Sequence, residues 1–573
     1  MSQADASALL GAAIILPFGF AVAFLVAGAT PRLRGMLSIV YGLSAAGVNL
    51  ALLNGFLTAN RVPSWASFRL TGFNFPVMLV LELLSVPCML YAGFRQRDER
   101  SQGLLPASIA AATGMAAAAV ISRGLVAQLL LWEGVTACAI VGLTVGKGDI
   151  RRKLVAFIPW LLGDVLFLVG VVLCGAWLKE SSVFISPPLI AGSETQVVII
   201  AALFLASALI RLGAFPFHFW IRDLLGRTDS SWSAFFLPAN FLLAGSRLII
   251  TSVFLGRLVT SNWSTGIVIA GLASIVAGPL IALLGASIPE YVAGMYAFQA
   301  GVLVTGVGLF SRSGLEGALF CLLVSPLLLS ACMMSAGTAD SLRGTRRFFR
   351  QGISARVAPA AFAALLISGF SLAGLPPMDG FVSKALVALA GFDRAVTSPF
   401  YALASGLILA AVAAAVVAAA RALGGVFMTA KVESGAFNKP SPMEGASALV
   451  LCAGSFMLGF FPGVLLRNFI RAGSVFLFPS GFTGPGIVFL GTGAAAQRAV
   501  TYYLSWSETA AAFLLVSTAI ALALYFAARA GRPSGEAGAS LEPFIGGSLG
   551  RYGDSDGSRA PLLPRVAGRR GQG

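Results

Sequence analysis

The sequence predicts an all-α polytopic membrane protein of about fifteen transmembrane helices, and three observations carry that expectation. First, 57% of its 573 residues are hydrophobic and only 11% charged, with 66 glycines, a balance foreign to soluble globular chains of this length. Second, apolar runs of about 20 residues, enough to cross a hydrocarbon core about 30 Å thick, recur almost without pause from Ala8 to Ala528. Third, two of these runs combine helix-breaking prolines and glycines with a basic side chain, so they are expected to break inside the membrane.

The spans fall near 8–28, 36–58, 74–94, 104–121, 124–145, 154–178, 196–213, 232–255, 264–285, 291–311, 314–335, 357–390 (interrupted), 398–420, 443–466 and 508–529. Spans four to eight (residues 104–255) and nine to thirteen (264–420) read as two five-helix units, each with a proline-broken helix, the seventh and the twelfth. Five is odd, so a second unit following the first enters the membrane upside down, the inverted-repeat arrangement of many transporters. Residues 1–103 hold spans one to three, and residues 421–529 hold the last two with an external Gly- and Pro-rich loop near 467–505. Residues 530–573 turn polar and basic, with too few apolar side chains to offset the entropy of ordering, and are expected to form a disordered cytoplasmic tail.

Lysine and arginine collect in loops after odd-numbered spans: Arg32 and Arg34; Arg95, Arg97 and Arg100; Lys147, Arg151, Arg152 and Lys153; Arg222 and Arg227; Arg343, Arg346, Arg347, Arg350 and Arg356. Cytoplasmic loops hold such an excess, which predicts an external N-terminus, a cytoplasmic C-terminus and residence in the cell membrane. These loops and the tail account for the net charge of +16, which points to anionic lipid rather than nucleic acid. No cleavable signal peptide is expected, because residues 2–7 lack a basic start. Cys88, Cys138, Cys174, Cys321, Cys332 and Cys452 are scattered singly, and there is one histidine, so no zinc or iron–sulfur ligand set and no cofactor is expected in this chain. A Gly-rich phosphate loop after a strand is also missing.

A charge at the middle of a bilayer costs roughly 2.5–3.5 kcal/mol on insertion scales, so ionisable residues inside the spans are candidates for function. Glu133 lies in Trp132-Glu133-Gly134-Val135 of the fifth span. Asp164 of the sixth and Glu82 of the third are either pathway acids or interhelical hydrogen-bond anchors. The seventh span ends in Arg211-Leu212-Gly213-Ala214-Phe215-Pro216-Phe217-His218, where Pro216 frees backbone carbonyls and predicts a wet pocket beside Arg211. Arg211 is expected to pair with Glu133, and His218 is either an interfacial residue or a proton relay. In the twelfth span, Gly374, Pro376, Pro377 and Gly380 interrupt the helix before Lys384, a competent proton carrier when buried.

These pieces, in this order, resemble the antiporter-like membrane subunits shared by respiratory complex I (NADH:quinone oxidoreductase), membrane-bound hydrogenases and multi-subunit cation/proton antiporters. The resemblance covers roughly residues 70–465 and is greatest to the large complex I member, through Trp132 to Val135 with Cys138, Leu212 to Asp223, Ser233 to Gly245 and Ser371 to Lys384. It implies that Glu133 and the seventh-helix base form a proton half-channel and that lysines of helices eleven and twelve continue a hydrated charged axis.

The chain departs from that pattern at several places. Arg211 stands at the seventh-helix lysine position, and an arginine stays protonated, so it tunes Glu133 but hands no proton on. Leu237 replaces a usual histidine, and Cys321, Ser325 and Leu329 replace two histidines and the central lysine of the eleventh helix. Gln299 and Gly301 are kept, whereas Pro289 and Glu290 replace a basic pair, and no long lateral amphipathic helix follows. The expectation is a divergent member with both ends of the charged axis and an interrupted centre.

Three functions fit. The first is a proton- or cation-translocating subunit of a redox complex whose other membrane subunits and peripheral arm hold the cofactors. The second is the membrane half of a proton-driven inorganic-carbon uptake system with a cytoplasmic zinc protein. The third is a non-conducting scaffold.

Overall fold

The computed structural model describes residues 3–470, apart from 28–29, 59–63, 66, 96–102, 146–148, 179–193, 256–260, 344–345, 349–354, 356 and 428–439. Compactness separates residues 1–511 from 512–573, and the second unit lies outside the described residues. The fifteenth span, the predicted tail, the site of a lateral helix, and Arg97, Arg100, Lys147, Arg350 and Arg356 also lie outside them.

Thirteen helices among the described residues are long and apolar enough to cross a membrane. In chain order the helices are α1 (Gln3–Ala27), α2 (Pro31–Thr58), α3 (Asn74–Arg95), α4 (Leu104–Ile121), α5 (Leu125–Leu143), α6 (Ile150–Leu173, extended by a π turn to Leu178), α7 (Glu194–Leu212), α8 (Phe219–Arg227) and α9 (Ser230–Leu255). They continue as α10 (Ser261–Leu284), α11 (Ile288–Gly308), α12 (Arg312–Arg343), α13 (Pro359–Ala373), α14 (Asp379–Arg394), α15 (Pro399–Phe427), α16 (Pro442–Phe460) and the short α17 (Pro462–Leu465). A two-stranded hairpin, Ser64–Trp65 with Phe68–Arg69, joins α2 to α3.

Local signals set the starts. Asp149 accepts the Arg151 amide at the head of α6, and Ser441 with Glu444 forms a capping box at the head of α16. Outer helices keep apolar side chains exposed, such as Val22, Leu25 and Val26 of α1 and Val155, Ile158 and Val172 of α6, the surface that lipid covers. By contrast the apolar windows of α11 and α12 are wholly buried, so these two form the centre of the bundle.

Glycine holds α11 against α10. Gly271 and Gly278 of α10 face Gly301 and Gly294 of α11 at seven-residue spacing, and a Cβ at Gly278 would stand 2.6 Å from the Phe298 amide nitrogen. A Cβ at Gly294 would stand 2.5 Å from the Ala282 nitrogen. Small residues give membrane helices this backbone contact, because lipid removes the hydrophobic drive for association.

The two expected breaks are built alike. At α7/α8, Gly213 takes φ of 63° and the Phe215–Pro216 bond is cis; at α13/α14, Gly374 takes φ of 92° and the Pro376–Pro377 bond is cis. In each case the prolyl residue follows the glycine by three positions.

Several basic residues read as loop cations belong to helices. Arg34 is buried in α2 and donates to the Gly93 carbonyl, and Lys153 is buried in α6 and donates to the Leu143 and Val145 carbonyls. Arg343 is buried in the last turn of α12. Arg95 closes α3, pairing with Glu444 at 3.4 Å and donating to the Gly337 carbonyl at 2.9 Å, which ties α3, α12 and α16 together. For Arg34 and Lys153 the reason is snorkelling inward: a long side chain reaches the uncapped carbonyls at the end of the neighbouring helix.

Candidate functional site

Two polar centres occupy the interior, one at each helix break. The first is assembled by α5, α6, α7 and α9. Asp164 is 4% exposed and Arg211 0%, and Arg211 Nε stands 3.2 Å from Asp164 Oδ1. Trp132 Nε1 donates to Asp164 Oδ1 at 2.9 Å, and Thr136 Oγ1 donates to Oδ2 at 3.1 Å. The Arg211 guanidinium lies over the rings of Trp132 and Trp160, at 4.7 and 4.4 Å from their centroids. Such stacking suits a planar, weakly hydrated cation.

The partner of Arg211 is therefore Asp164, where the sequence suggested Glu133. Spacing along the chain shows that an acid and a base share the membrane interior, but not how neighbouring helices are rotated. Gly163 decides it: a Cβ there would stand 2.6 Å from Arg211 Cγ, so the bare backbone of α6 admits the arginine beside Asp164. Glu133, half-buried on α5, makes no ion pair among the described residues, yet its charge is felt by both Arg211 and Arg247.

Arg247 of α9 is the residue that sequence reasoning missed. It is 5% exposed, donates to Gln128 Oε1 at 3.2 Å and stacks on Trp132 and Phe167. Its Nε and Nη1 have no hydrogen-bond partner among the described residues. The signal was present, since Arg247 sits in an apolar run from Phe241 to Phe254 and carries the same insertion cost as Glu133. With both acids ionised, two arginines and two carboxylates leave this centre electrically balanced.

The second centre surrounds the α13/α14 break. Lys384 is 1% exposed, and its Nζ donates to Gln299 Oε1 at 3.0 Å and to the Gly380 carbonyl at 3.1 Å. No carboxylate among the described residues lies at ion-pair distance from it. Gln299 Nε2 donates to the Leu372 carbonyl at 2.6 Å, one of the groups freed where α13 ends. Asp379, fully buried, accepts from Ser371, Ser455 and the Gly380 amide. A Cβ at Gly374 would stand 2.5 Å from Lys384 Cδ, so this glycine supplies both the left-handed turn and the room for the lysine stem. Gly374→Ala is expected to lower the thermal midpoint of the purified protein by several degrees; an unchanged midpoint would show that the break tolerates a side chain.

Two of the positions that read as lost belong to this network. Ser325 Oγ donates to Gln299 Oε1 at 3.3 Å, and Cys321 lies 3.3 Å from Ser325 and 3.6 Å from the Gln299 carbonyl. They interrupt the charge but not the polarity of the centre. Leu237 and Leu329 are buried and apolar, as their residue types require. His218 is partly buried and stacks on Phe215, and among the described residues it bonds to neither centre. Glu82, 2% exposed with an Oε1 that has no partner among the described residues, lies on α3, where its backbone carbonyl accepts from Ser85, itself in contact with Tyr41 of α2, and it joins neither centre. Glu290 caps the Ala286 amide and faces Arg222 at 3.9 Å, an end-of-helix role.

Residues 122–410 match the family model described as NADH:quinone oxidoreductase/Mrp antiporter, TM. The chain is 28% identical over 221 residues to an NAD(P)H-quinone oxidoreductase chain 4 of Cycas taitungensis chloroplasts, covering 38% of this chain and 43% of that one. It is 27% identical over 253 residues to a Na(+)/H(+) antiporter subunit of Bacillus subtilis, covering 43% and 50%. The match thus spans about half the length of these curated relatives. In fold it is similar to a chain of the Mrp complex from Dietzia sp. DQ12-45-1b, with a TM-score of 0.72, 19% identity and coverage of 83% of this chain and 98% of that one.

Proposed function

The chain belongs to the NADH:quinone oxidoreductase/Mrp antiporter transmembrane family, and on that premise we propose that it is a proton- or cation-translocating membrane subunit of a multi-subunit respiratory or hydrogenase-type complex. The observation that carries this reading is Lys384, buried at a helix break and held by a neutral amide and a backbone carbonyl instead of a carboxylate. A lysine so placed can release and regain its proton, whereas one locked to a carboxylate serves packing.

Glu133 is the exchangeable acid of the other centre, half-buried and without a direct ion pair among the described residues. Asp164 and Arg211 form its fixed frame, and Arg247, with two unpartnered donors, is the cation that responds to its charge. Asp379 sets the field around Lys384 from the first turn of α14. Glu82 and His218 stand outside this axis. The N-terminus is external and the chain resides in the cell membrane, in accord with contacts that gather the basic helix ends at one end of the bundle. There Arg346 donates to the Leu225 and Thr228 carbonyls, and Arg421 to those of Leu283 and Gly285.

The partners are other membrane subunits and a peripheral cofactor-bearing arm. Native membranes extracted in mild detergent from cells carrying the tagged chain should yield iron–sulfur or quinone-site subunits by mass spectrometry. Recovery of a cytoplasmic zinc protein alone would overturn this assignment and favour inorganic-carbon uptake.

A further inference from the structure

Away from both breaks, where α2 packs on α3, two buried acceptors lack a donor among the described residues: Glu82 Oε1 and Asn49 Oδ1. Their residues are 2% and 9% exposed. The Asn49 amide is not free to turn over, because its Nδ2 donates to the Ala45 carbonyl at 2.8 Å and a carbonyl only accepts. Both orphans are therefore oxygens that accept, and neither can satisfy the other.

The register of the two helices brings them to one level. α2 and α3 run antiparallel: Arg34 meets the Gly93 carbonyl at 3.0 Å, Ser38 the Met89 carbonyl at 3.3 Å and Tyr41 the Ser85 hydroxyl at 2.8 Å. Further along, Phe56 stacks on Phe75 at 4.3 Å. Between the last two contacts Glu82 falls opposite Ala45. Arg34, Ser38, Tyr41, Ala45 and Asn49 follow one another at spacings of three and four, so they share the face that meets α3. Asn49, folded back one turn onto the Ala45 carbonyl, thus presents its amide at the level of Glu82.

No cation among the described residues pairs with Glu82. The titratable group that faces it is Tyr41, which feels its charge; α4 carries none, and no charged group of α9, α12 or α16 acts on it. A carboxylate so placed has nothing to offset its desolvation, and such a group takes up a proton instead. We propose that α2 and α3 form a proton-binding site apart from the translocation axis, in which Glu82 carries the proton and donates it to Asn49 Oδ1. One proton then satisfies both acceptors and leaves no buried charge. A water would fill both acceptors but leave the carboxylate unpaired. A sodium ion needs a fuller oxygen shell, and the neighbouring hydroxyls are engaged: Tyr41 with Ser85, Ser85 with the Glu82 carbonyl, Thr113 with the Ile109 carbonyl. Loss of the proton sets a carboxylate against an amide oxygen, so ionisation loosens the contact of α2 with α3.

The test follows unfolding of the full chain in mixed micelles, beside Glu82→Gln, which keeps a neutral donor for Asn49. Above the ordinary glutamate value of about 4.3 the unfolded chain gives up this proton while the folded chain keeps it. The folding constant of the unmodified chain, relative to Glu82→Gln, is therefore expected to fall by up to about tenfold per pH unit between about pH 5 and about pH 7. A flat ratio overturns the site. The infrared spectrum gives a second readout. At neutral pH the unmodified chain minus Glu82→Gln should show the carbonyl stretch of a protonated carboxylic acid, and Asn49→Leu should shift that band by removing its acceptor. The Asn49→Leu comparison also serves where Glu82→Gln fails to fold. Absence of the band, or a band unmoved in Asn49→Leu, overturns the assignment. A midpoint that rises when sodium replaces choline at constant ionic strength, in the unmodified chain but not in Glu82→Gln, also overturns it and makes the ligand sodium. None of these failures touches the translocation reading.

Discussion

Lys384→Met is expected to abolish proton flux through the reconstituted complex, a loss of about 10²-fold or more, because it removes the one lysine at the α13/α14 break that can take up and release a proton. Methionine fills a similar volume, so packing against Phe298, 5.1 Å from the ammonium, is largely kept. Gln299 Oε1 loses its donor, at a cost of about 1–3 kcal/mol, so the purified complex should remain assembled with a slightly lower midpoint. Lys384→Arg separates two roles. An arginine keeps the positive charge but stays protonated. If Lys384 carries protons, the arginine variant is as silent as the methionine variant; if it serves as a fixed charge, arginine conducts. Dye-detected flux at matched protein content reads the difference.

Asp164→Ala is expected to produce the largest loss of stability, about 3–5 kcal/mol, since it leaves Arg211 buried without its counter-ion. Arg211 is 0% exposed, and its Nη1 already lacks a partner among the described residues, so water cannot readily replace the carboxylate. Trp132 and Thr136 would lose their acceptor as well. The double variant Asp164→Leu with Arg211→Leu should recover most of the loss, because replacing a buried ion pair by apolar side chains is often neutral. Unfolding in mixed micelles, followed by tryptophan fluorescence, measures both. A single-variant loss below about 1 kcal/mol would mean that another group compensates Arg211.

These two residues were legible for the same reason: an ionisable group in an apolar run is costly, and its cost appears directly in the sequence. Arg247 obeyed that rule and was readable in principle. Asn49 was not, because a neutral amide is ordinary in a membrane helix. Its meaning depends on which carbonyl holds its nitrogen and which acid stands opposite it. Cys321 and Ser325 read as losses because family comparison counts charges, whereas the structure puts them against Gln299, the amide that receives Lys384.

The sequence by itself determined the membrane class, the positions of the helices and the two breaks, since hydrocarbon thickness, apolar run length and the missing proline N–H are local quantities. Only the tertiary structure decided that Arg211 pairs with Asp164 and that Arg247 joins the same centre. Pairing depends on helix rotation and close approach, here set by glycines such as Gly163 and Gly278 whose contacts lie on other helices, and no pattern along one helix encodes its neighbour's azimuth.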